Sequence, residues 1–147
     1  MLDERARAAQ VLAQARSAHF DGLYFGGVCF KYQPHCSSSS SSSSSSSATE
    51  RSYEECARAA HRYMHVVTTS GVATGQQIDM DKLRTMRSAV GETGVLAVAS
   101  GVTVENLPEQ LPYLDCVLVA TGVSDSFHEL NTERIAALVE VAHTRGS

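Results

Sequence analysis

Residues 95–102 read VLAVASGV, an apolar run that ends in a small, hydroxyl-containing glycine turn. Two other stretches repeat the pattern, residues 66–71 (VVTTSG) and residues 116–124 (CVLVATGVS). A helix-like stretch follows each of them. Continuous apolar runs of this length are typical of buried parallel strands, and the turns after such strands carry function in α/β folds. The three turns together predict a site for a phosphorylated or otherwise anionic small molecule.

The rest of the chain alternates strand and helix patterns around these runs. A helix over residues 2–18 precedes four strand–helix units. The predicted strands cover residues 23–32, 66–70, 95–100 and 116–121. The predicted helices cover residues 52–64, residues 79–90, a short element capped by Thr103, and residues 131–144. Ser52 with Glu55 forms a capping-box pattern, and Asp79 is an expected N-cap.

Strict strand–helix alternation predicts an α/β fold with one parallel sheet. The 147 residues correspond to one domain, over residues 1–147. Two architectures fit: a small open doubly wound sheet, or a partial (β/α)8 TIM barrel of about four strand–helix units preceded by one helix. A full barrel needs about 250 residues, so the barrel interpretation is a half-barrel.

A serine homopolymer, residues 37–47, interrupts the chain between the first predicted strand and the next helix. It has no apolar surface to bury, so we expect a flexible, solvated loop. Lengthening a surface loop costs only about 0.6 kcal/mol per doubling, which makes such an expansion tolerable.

Composition argues against several classes of protein. The net charge is −4 and no segment carries a basic stripe, which argues against nucleic-acid binding. No apolar run approaches the ~20 residues of a transmembrane helix, and the charged N-terminus lacks a signal-peptide pattern, so we expect a cytoplasmic protein. The spacing of the four cysteines fits neither CxxC nor a zinc site, so we expect buried free thiols and no metal.

The turns after the last two predicted strands are the candidate phosphate site, because the corresponding loops bind phosphate in (β/α)8 barrels. Backbone N–H groups and hydroxyls there are the expected ligand contacts. The residues are Ser100, Gly101, Val102, Thr121, Gly122 and Val123. The alternative interpretation is that these are tight strand–helix turns followed by a helix cap.

Two further features belong to the same predicted edge. The turn after the strand of residues 66–70 is longer than packing requires. It is predicted to be a mobile loop that covers the site through Ser70, Gly71, Thr74 and Gly75; the alternative is a disordered connection. Lys31 ends the first strand, where it could bind an anion, act as a base or form a Schiff base. The alternative for Lys31 is an exposed strand-end lysine with a packed stem. The GxGxxG and GxxxxGK[ST] patterns are missing, so no cofactor is predicted.

Several of these stretches resemble the BtpA/SgcQ family. They are residues 70–75 (SGVATG), residues 81–83 (DKL), residues 100–107 (SGVTVENL), residues 115–121 (DCVLVAT) and residues 30–32 (FKY). The resemblance covers roughly residues 22–145 apart from the serines, and implies the C-terminal half of a (β/α)8 barrel with Lys31 ending the fifth strand. Asp125 stands where the family usually has a basic residue after the last turn.

The resemblance implies a fold more specifically than a reaction. The family's namesake is associated with photosystem I stability, and other members occur beside sugar-metabolism genes. We therefore predict a site for a small phosphorylated metabolite; the alternatives are a non-catalytic assembly or stability factor and a truncated, inactive fragment. Bare edges on the first and last strands predict association with a second copy or with a missing N-terminal half-barrel.

Overall fold

The computed structural model describes residues 4–31, 36–37 and 51–144. Within these ranges the α-helices are α1 (Glu4–Ser17), α2 (Tyr53–Ala60), α3 (Met80–Val90), α4 (Leu107–Gln110) and α5 (Thr132–His143). The strands are β1 (Phe25–Gly27), β2 (Cys36–Ser37), β3 (Arg51–Ser52), β4 (Val66–Thr69), β5 (Val95–Ala99), β6 (Cys116–Leu118), β7 (Ser124–Ser126) and β8 (Glu129–Leu130). The expectation for the serine run lies outside the described residues, except for Ser37.

The main sheet has four strands in the order β1-β4-β5-β6, and every neighbouring pair is parallel. Helix α2 lies between β1 and β4 in the chain, α3 between β4 and β5, and α4 between β5 and β6. A parallel neighbour requires such a crossover, because the chain must return to the starting edge. The arrangement confirms four parallel strand–helix units preceded by one helix, which is a partial (β/α)8 barrel.

Two helix starts follow the predicted caps. Ser52 Oγ accepts the N–H of Glu55 at 3.2 Å, and the Glu55 carboxylate accepts the N–H of Ser52 at 3.1 Å, which completes a capping box at α2. Asp79 Oδ1 accepts the N–H of Asp81 at 2.7 Å and caps α3. None of the described helices is both long and apolar enough to cross a membrane.

The core lies between the sheet and the helices. Val67 of β4 and Leu96 and Val98 of β5 are fully buried in one cluster with Leu83 and Met86 of α3. Successive residues of a strand point to opposite faces, so these three strand residues define the helix-facing side of the sheet. Burial of their side chains is what attaches the helices to the sheet, at about 1.5–3 kcal/mol for each large apolar residue.

The other face of the sheet carries smaller residues and is more exposed towards its ends. Thr68 and Ala97 lie beside each other in register and are buried. Phe25 of β1 is 39% exposed and Leu118 of β6 is 43% exposed. Parallel sheets are normally covered on both faces, so the exposed apolar residues at the two end strands are the incomplete part of this fold.

Several elements differ from the sequence expectations. The first strand covers only Phe25–Gly27, so Lys31 lies beyond its end, and the second helix ends at Ala60 rather than at residue 64. The last strand ends at Leu118 rather than at residue 121, because Ala120 takes φ −133° and ψ −78°, outside the strand region. An unpredicted antiparallel hairpin, β7–β8, then precedes α5. Thr103 does not begin a helix, since α4 starts at Leu107. Cys29 is buried as expected, whereas Cys56 and Cys116 are half-buried, and none of these three forms a disulfide.

A small second sheet brackets the serine run. The two residues of β2 pair in parallel with the two residues of β3, with Cys36 opposite Arg51 and Ser37 opposite Ser52. Ser52 is also the cap of α2. The chain therefore leaves this point at β2 and returns beside it at β3, directly before the second helix.

Two adjacent hydroxyls at the end of β4 offer a matched test of the core. The buried hydroxyl of Thr69 has no hydrogen-bond partner among the described residues, whereas Ser70 Oγ accepts the N–H of Lys31 and donates to the carbonyl of Gly71, both at 2.8 Å. We expect Thr69→Val to raise the free energy of unfolding by about 1 kcal/mol and Ser70→Ala to lower it by about 1–3 kcal/mol. Urea denaturation measures both; a destabilised Thr69→Val variant would contradict the unpaired assignment.

Candidate functional site

The candidate residues follow the four strands of the main sheet at their carboxyl ends. Lys31 comes after β1, Ser70 after β4, Ser100 after β5, and Thr121 after β6. Because the strands are parallel, all four positions lie at one edge of the sheet. This is the edge at which α/β folds place their ligands.

Direct contacts join three of these positions. The ammonium of Lys31 donates to Thr74 Oγ1 at 3.2 Å, and its Nζ lies 5.8 Å from the centroid of the Phe30 ring. The N–H of Gly75 donates to Ser100 Oγ at 3.1 Å. The turn after β4 therefore bridges Lys31 on one side and the turn after β5 on the other. The predicted covering residues and the predicted lysine form one connected group.

The glycines of the three turns let the turns pack against one another. A Cβ built on Gly71 would lie 2.3 Å from the carbonyl oxygen of Gln76, and one on Gly101 would lie 1.9 Å from the same atom. A Cβ on Gly122 would lie 2.0 Å from the carbonyl oxygen of Val102. Close backbone approach thus requires glycine at each of these positions, independently of any ligand.

The turn after β5 also has unusual backbone conformations. Ser100 has φ 77° and Gly101 has φ 75°, so two successive residues occupy the left-handed region. A serine there is strained, and such strain is concentrated at functional sites. Within the described ranges, the N–H groups of Gly101 and Val102 donate no hydrogen bond. The N–H of Val123, in contrast, already donates to the carbonyl of Ala120 at 3.0 Å.

Asn106 holds this turn in place, a role that the sequence reasoning did not assign. Its side-chain Nδ2 donates to the carbonyl of Gly101 at 2.8 Å, and its Oδ1 accepts the N–H of Thr103 at 2.9 Å. Thr103 Oγ1 in turn accepts the N–H of Asn106 at 3.4 Å. The SGVTVEN stretch is therefore a self-bonded turn, and the Thr–Asn spacing was the signal for it.

The turn after β6 lies in an acidic setting with one nearby guanidinium. Arg134, from the first turn of α5, donates to the carbonyl of Ser124 at 2.9 Å and lies 3.5 Å from Asp125 Oδ1. The hydrogen bond from the Thr103 hydroxyl lowers the pKa of the Glu105 carboxyl, assisted by the backbone and by Arg134. The positive charge of Arg134 is therefore already offset by two nearby carboxylates, those of Asp125 and Glu105.

Lys82 is the second residue that the sequence reasoning missed. It lies in the first turn of α3 and is 7% exposed. Its ammonium donates to the carbonyl of Cys29 at 2.6 Å and to the carbonyl of Ser70 at 2.8 Å. The sequence analysis included Lys82 only within the DKL stretch that resembles the family and gave it no role, because a helical pattern alone places a lysine there on the surface. Among the described residues, no three His, Cys, Asp or Glu side chains are grouped as a metal site would need.

Gly101 and Gly75 form a matched pair that separates backbone strain from loop packing. Both have φ close to +75°, but a Cβ on Gly75 would meet nothing within 4 Å. We expect Gly75→Ala to cost about 1–2 kcal/mol of unfolding free energy from the left-handed backbone alone. Gly101→Ala should cost about 1–3 kcal/mol more, because its methyl group overlaps the Gln76 carbonyl. Equal losses in thermal or urea unfolding would contradict the close packing of the two turns.

Comparison with solved structures supports the fold. The chain is similar to phosphoribosyl anthranilate isomerase from Thermus thermophilus, a TIM barrel, with a TM-score of 0.51 and 15% sequence identity. The match covers 94% of this chain and 68% of that one. At this identity the likeness concerns the fold alone.

Sequence comparison identifies the family. The chain is 37% identical over 79 residues to an uncharacterized protein of Thermococcus kodakarensis, a match that covers 52% of this chain. It spans 30% of the length of that relative. The model of the BtpA family matches residues 41–144, which include β3 to β8 and helices α2 to α5. On this match, the chain belongs to the BtpA family.

Proposed function

We propose that this BtpA-family protein binds a small phosphorylated metabolite at the carboxyl edge of its sheet. The observation that carries the proposal is the contact of Lys31 with Thr74, continued by Gly75 to Ser100. These contacts bring an ammonium group, the covering turn and the strained turn after β5 together. A cation together with several backbone donors is favourable for binding a phosphoryl group.

The anion is expected between Lys31 and the turn after β5. The N–H groups of Gly101 and Val102 are the donors without a partner among the described residues, and the Lys31 ammonium supplies the positive charge. The turn of Thr121, Gly122 and Val123 forms the neighbouring wall. The charge of Asp125, which follows this turn in β7, disfavours an anion there and favours its placement towards Lys31.

Inorganic phosphate and ribose 5-phosphate test this binding by calorimetric titration. We expect Lys31→Ala to weaken binding by about 10- to 100-fold, since a hydrogen bond to a charged group contributes about 1.5–3 kcal/mol. Arg84→Ala removes the same charge on α3, where the guanidinium contacts Asp81 and Tyr113, and should leave affinity nearly unchanged. Equal affinities in wild type and Lys31→Ala, or no binding of either probe at millimolar concentration, would refute the site.

We further propose that the two open edges of the sheet pair with a second half-barrel, supplied by another copy of this chain. Strands β1 and β6 are the end strands of the described sheet, and Phe25 and Leu118 expose apolar surface there. A two-fold axis parallel to the strands places β6 of one copy beside β1 of the other in parallel orientation, which gives eight strands. An eight-stranded barrel closed in this way is compatible with a non-catalytic assembly factor as well as with an enzyme.

Multi-angle light scattering tests this pairing. We expect a dimer of about 31 kDa, twice the 15.7 kDa of one chain. Leu118→Lys should shift the population to monomer, because it introduces a charge at the β6 edge. Val139→Lys, a similarly exposed position on α5, is the control and should remain dimeric. A monodisperse folded monomer for the wild type, or a dimer that survives Leu118→Lys, would contradict edge pairing.

A further inference from the structure

Lys82 occupies a position that local energetics disfavour. It lies in the first turn of α3, where the positive end of the helix dipole repels a cation, and it is almost fully buried. A buried ammonium is costly unless hydrogen bonds replace its lost water. Here two backbone carbonyls accept from it, and the Tyr53 ring centroid lies 5.3 Å from its Nζ. A charge held at such a cost needs a structural reason.

The two carbonyls belong to the ends of neighbouring strands. Cys29 lies two residues after β1, and Ser70 directly follows β4. Cys29 has φ 48°, a left-handed conformation that a non-glycine residue adopts only under constraint. The Lys82 ammonium is one contact that holds this conformation, because it donates to the Cys29 carbonyl at 2.6 Å. It thereby fixes how β1 turns towards Lys31.

Ser70 links the Lys82 ammonium to Lys31 at the candidate site. Its carbonyl accepts from Lys82, while its hydroxyl accepts the N–H of Lys31 at 2.8 Å and donates to the carbonyl of Gly71 at 2.8 Å. Lys31 is thus held from both sides, through Cys29 along the chain and through Ser70 across the sheet. The covering turn starts at the same serine.

We propose that Lys82 is a positioning residue that sets where the Lys31 ammonium and the covering turn stand at the carboxyl edge of the sheet. The expected effect of Lys82 on phosphate binding rests on the proposed function. Its expected effect on the position of Lys31 does not. Lys82 itself lies behind the strand ends, on α3, and acts through Ser70 and Cys29 rather than on a ligand.

The test uses Lys82→Met, which keeps an unbranched side chain only one atom shorter and removes the hydrogen bonds to the Cys29 and Ser70 carbonyls. We expect inorganic phosphate to bind at least about tenfold more weakly. We also expect the Lys31 amine, released from Thr74, to be acetylated several-fold faster by acetic anhydride, as measured by mass spectrometry. Met86→Ala is the matched control, because Met86 is fully buried on the same helix. In that variant we expect neither weaker phosphate binding nor faster acetylation of Lys31.

Phosphate affinity and the acetylation rate of Lys31 distinguish a failure of the proposed function from a failure of the positioning role. If wild type binds no phosphate, the proposed function fails, while the acetylation rate still tests the positioning role. If Lys31 reacts at the wild-type rate in a folded Lys82→Met protein, the inference is wrong. Should Lys82→Met not fold, Ser70→Ala cuts the hydroxyl link between the Lys82-held strand end and Lys31. The same faster acetylation is then expected, and an unchanged rate overturns the proposal.

Discussion

All four strands of the main sheet point the same way, and the other features of the structure depend on this constraint. It gathers every turn that follows a strand at one edge, where the turns must share a small volume. The Gln76 carbonyl lies against both Gly71 and Gly101, and the Val102 carbonyl lies against Gly122. The same edge is therefore both a tightly packed loop region and the candidate site. The glycines are required for close packing of the turns. A ligand at this edge must therefore bind to backbone N–H groups that the packing leaves without a partner.

Much of the fold could be predicted from local patterns. The runs around Val67 and Val98 are apolar because both faces of those strands are buried, and this continuous pattern identified them as parallel strands. The caps at Ser52 and Asp79 were predictable because a cap is a contact between near neighbours in sequence. Thr103 was expected to cap the next helix on the same local grounds, but that helix begins only at Leu107.

The parts that escaped prediction depend on contacts distant in sequence. Lys82 is buried because two strand ends, 53 and 12 residues away, present carbonyls to it. Periodicity alone cannot distinguish such a lysine from a solvated one. The early end of β6 arises from the turn at Ala120 in a strand that has a neighbour on only one side. Lys31 was recognised through its place at a strand end, and its contact with Thr74, 43 residues on, required the fold.

The parallel pairing of β2 with β3 has a consequence for the length of the serine run. The residues on either side of the serine run sit next to each other, with Ser37 opposite Ser52, and α2 starts at once. A longer or shorter serine run would add or remove chain between two points that stay neighbours, at a cost that grows only with the logarithm of length. The paired ends β2 and β3 thus separate the length of the run from the start of α2 and from the Lys31 edge.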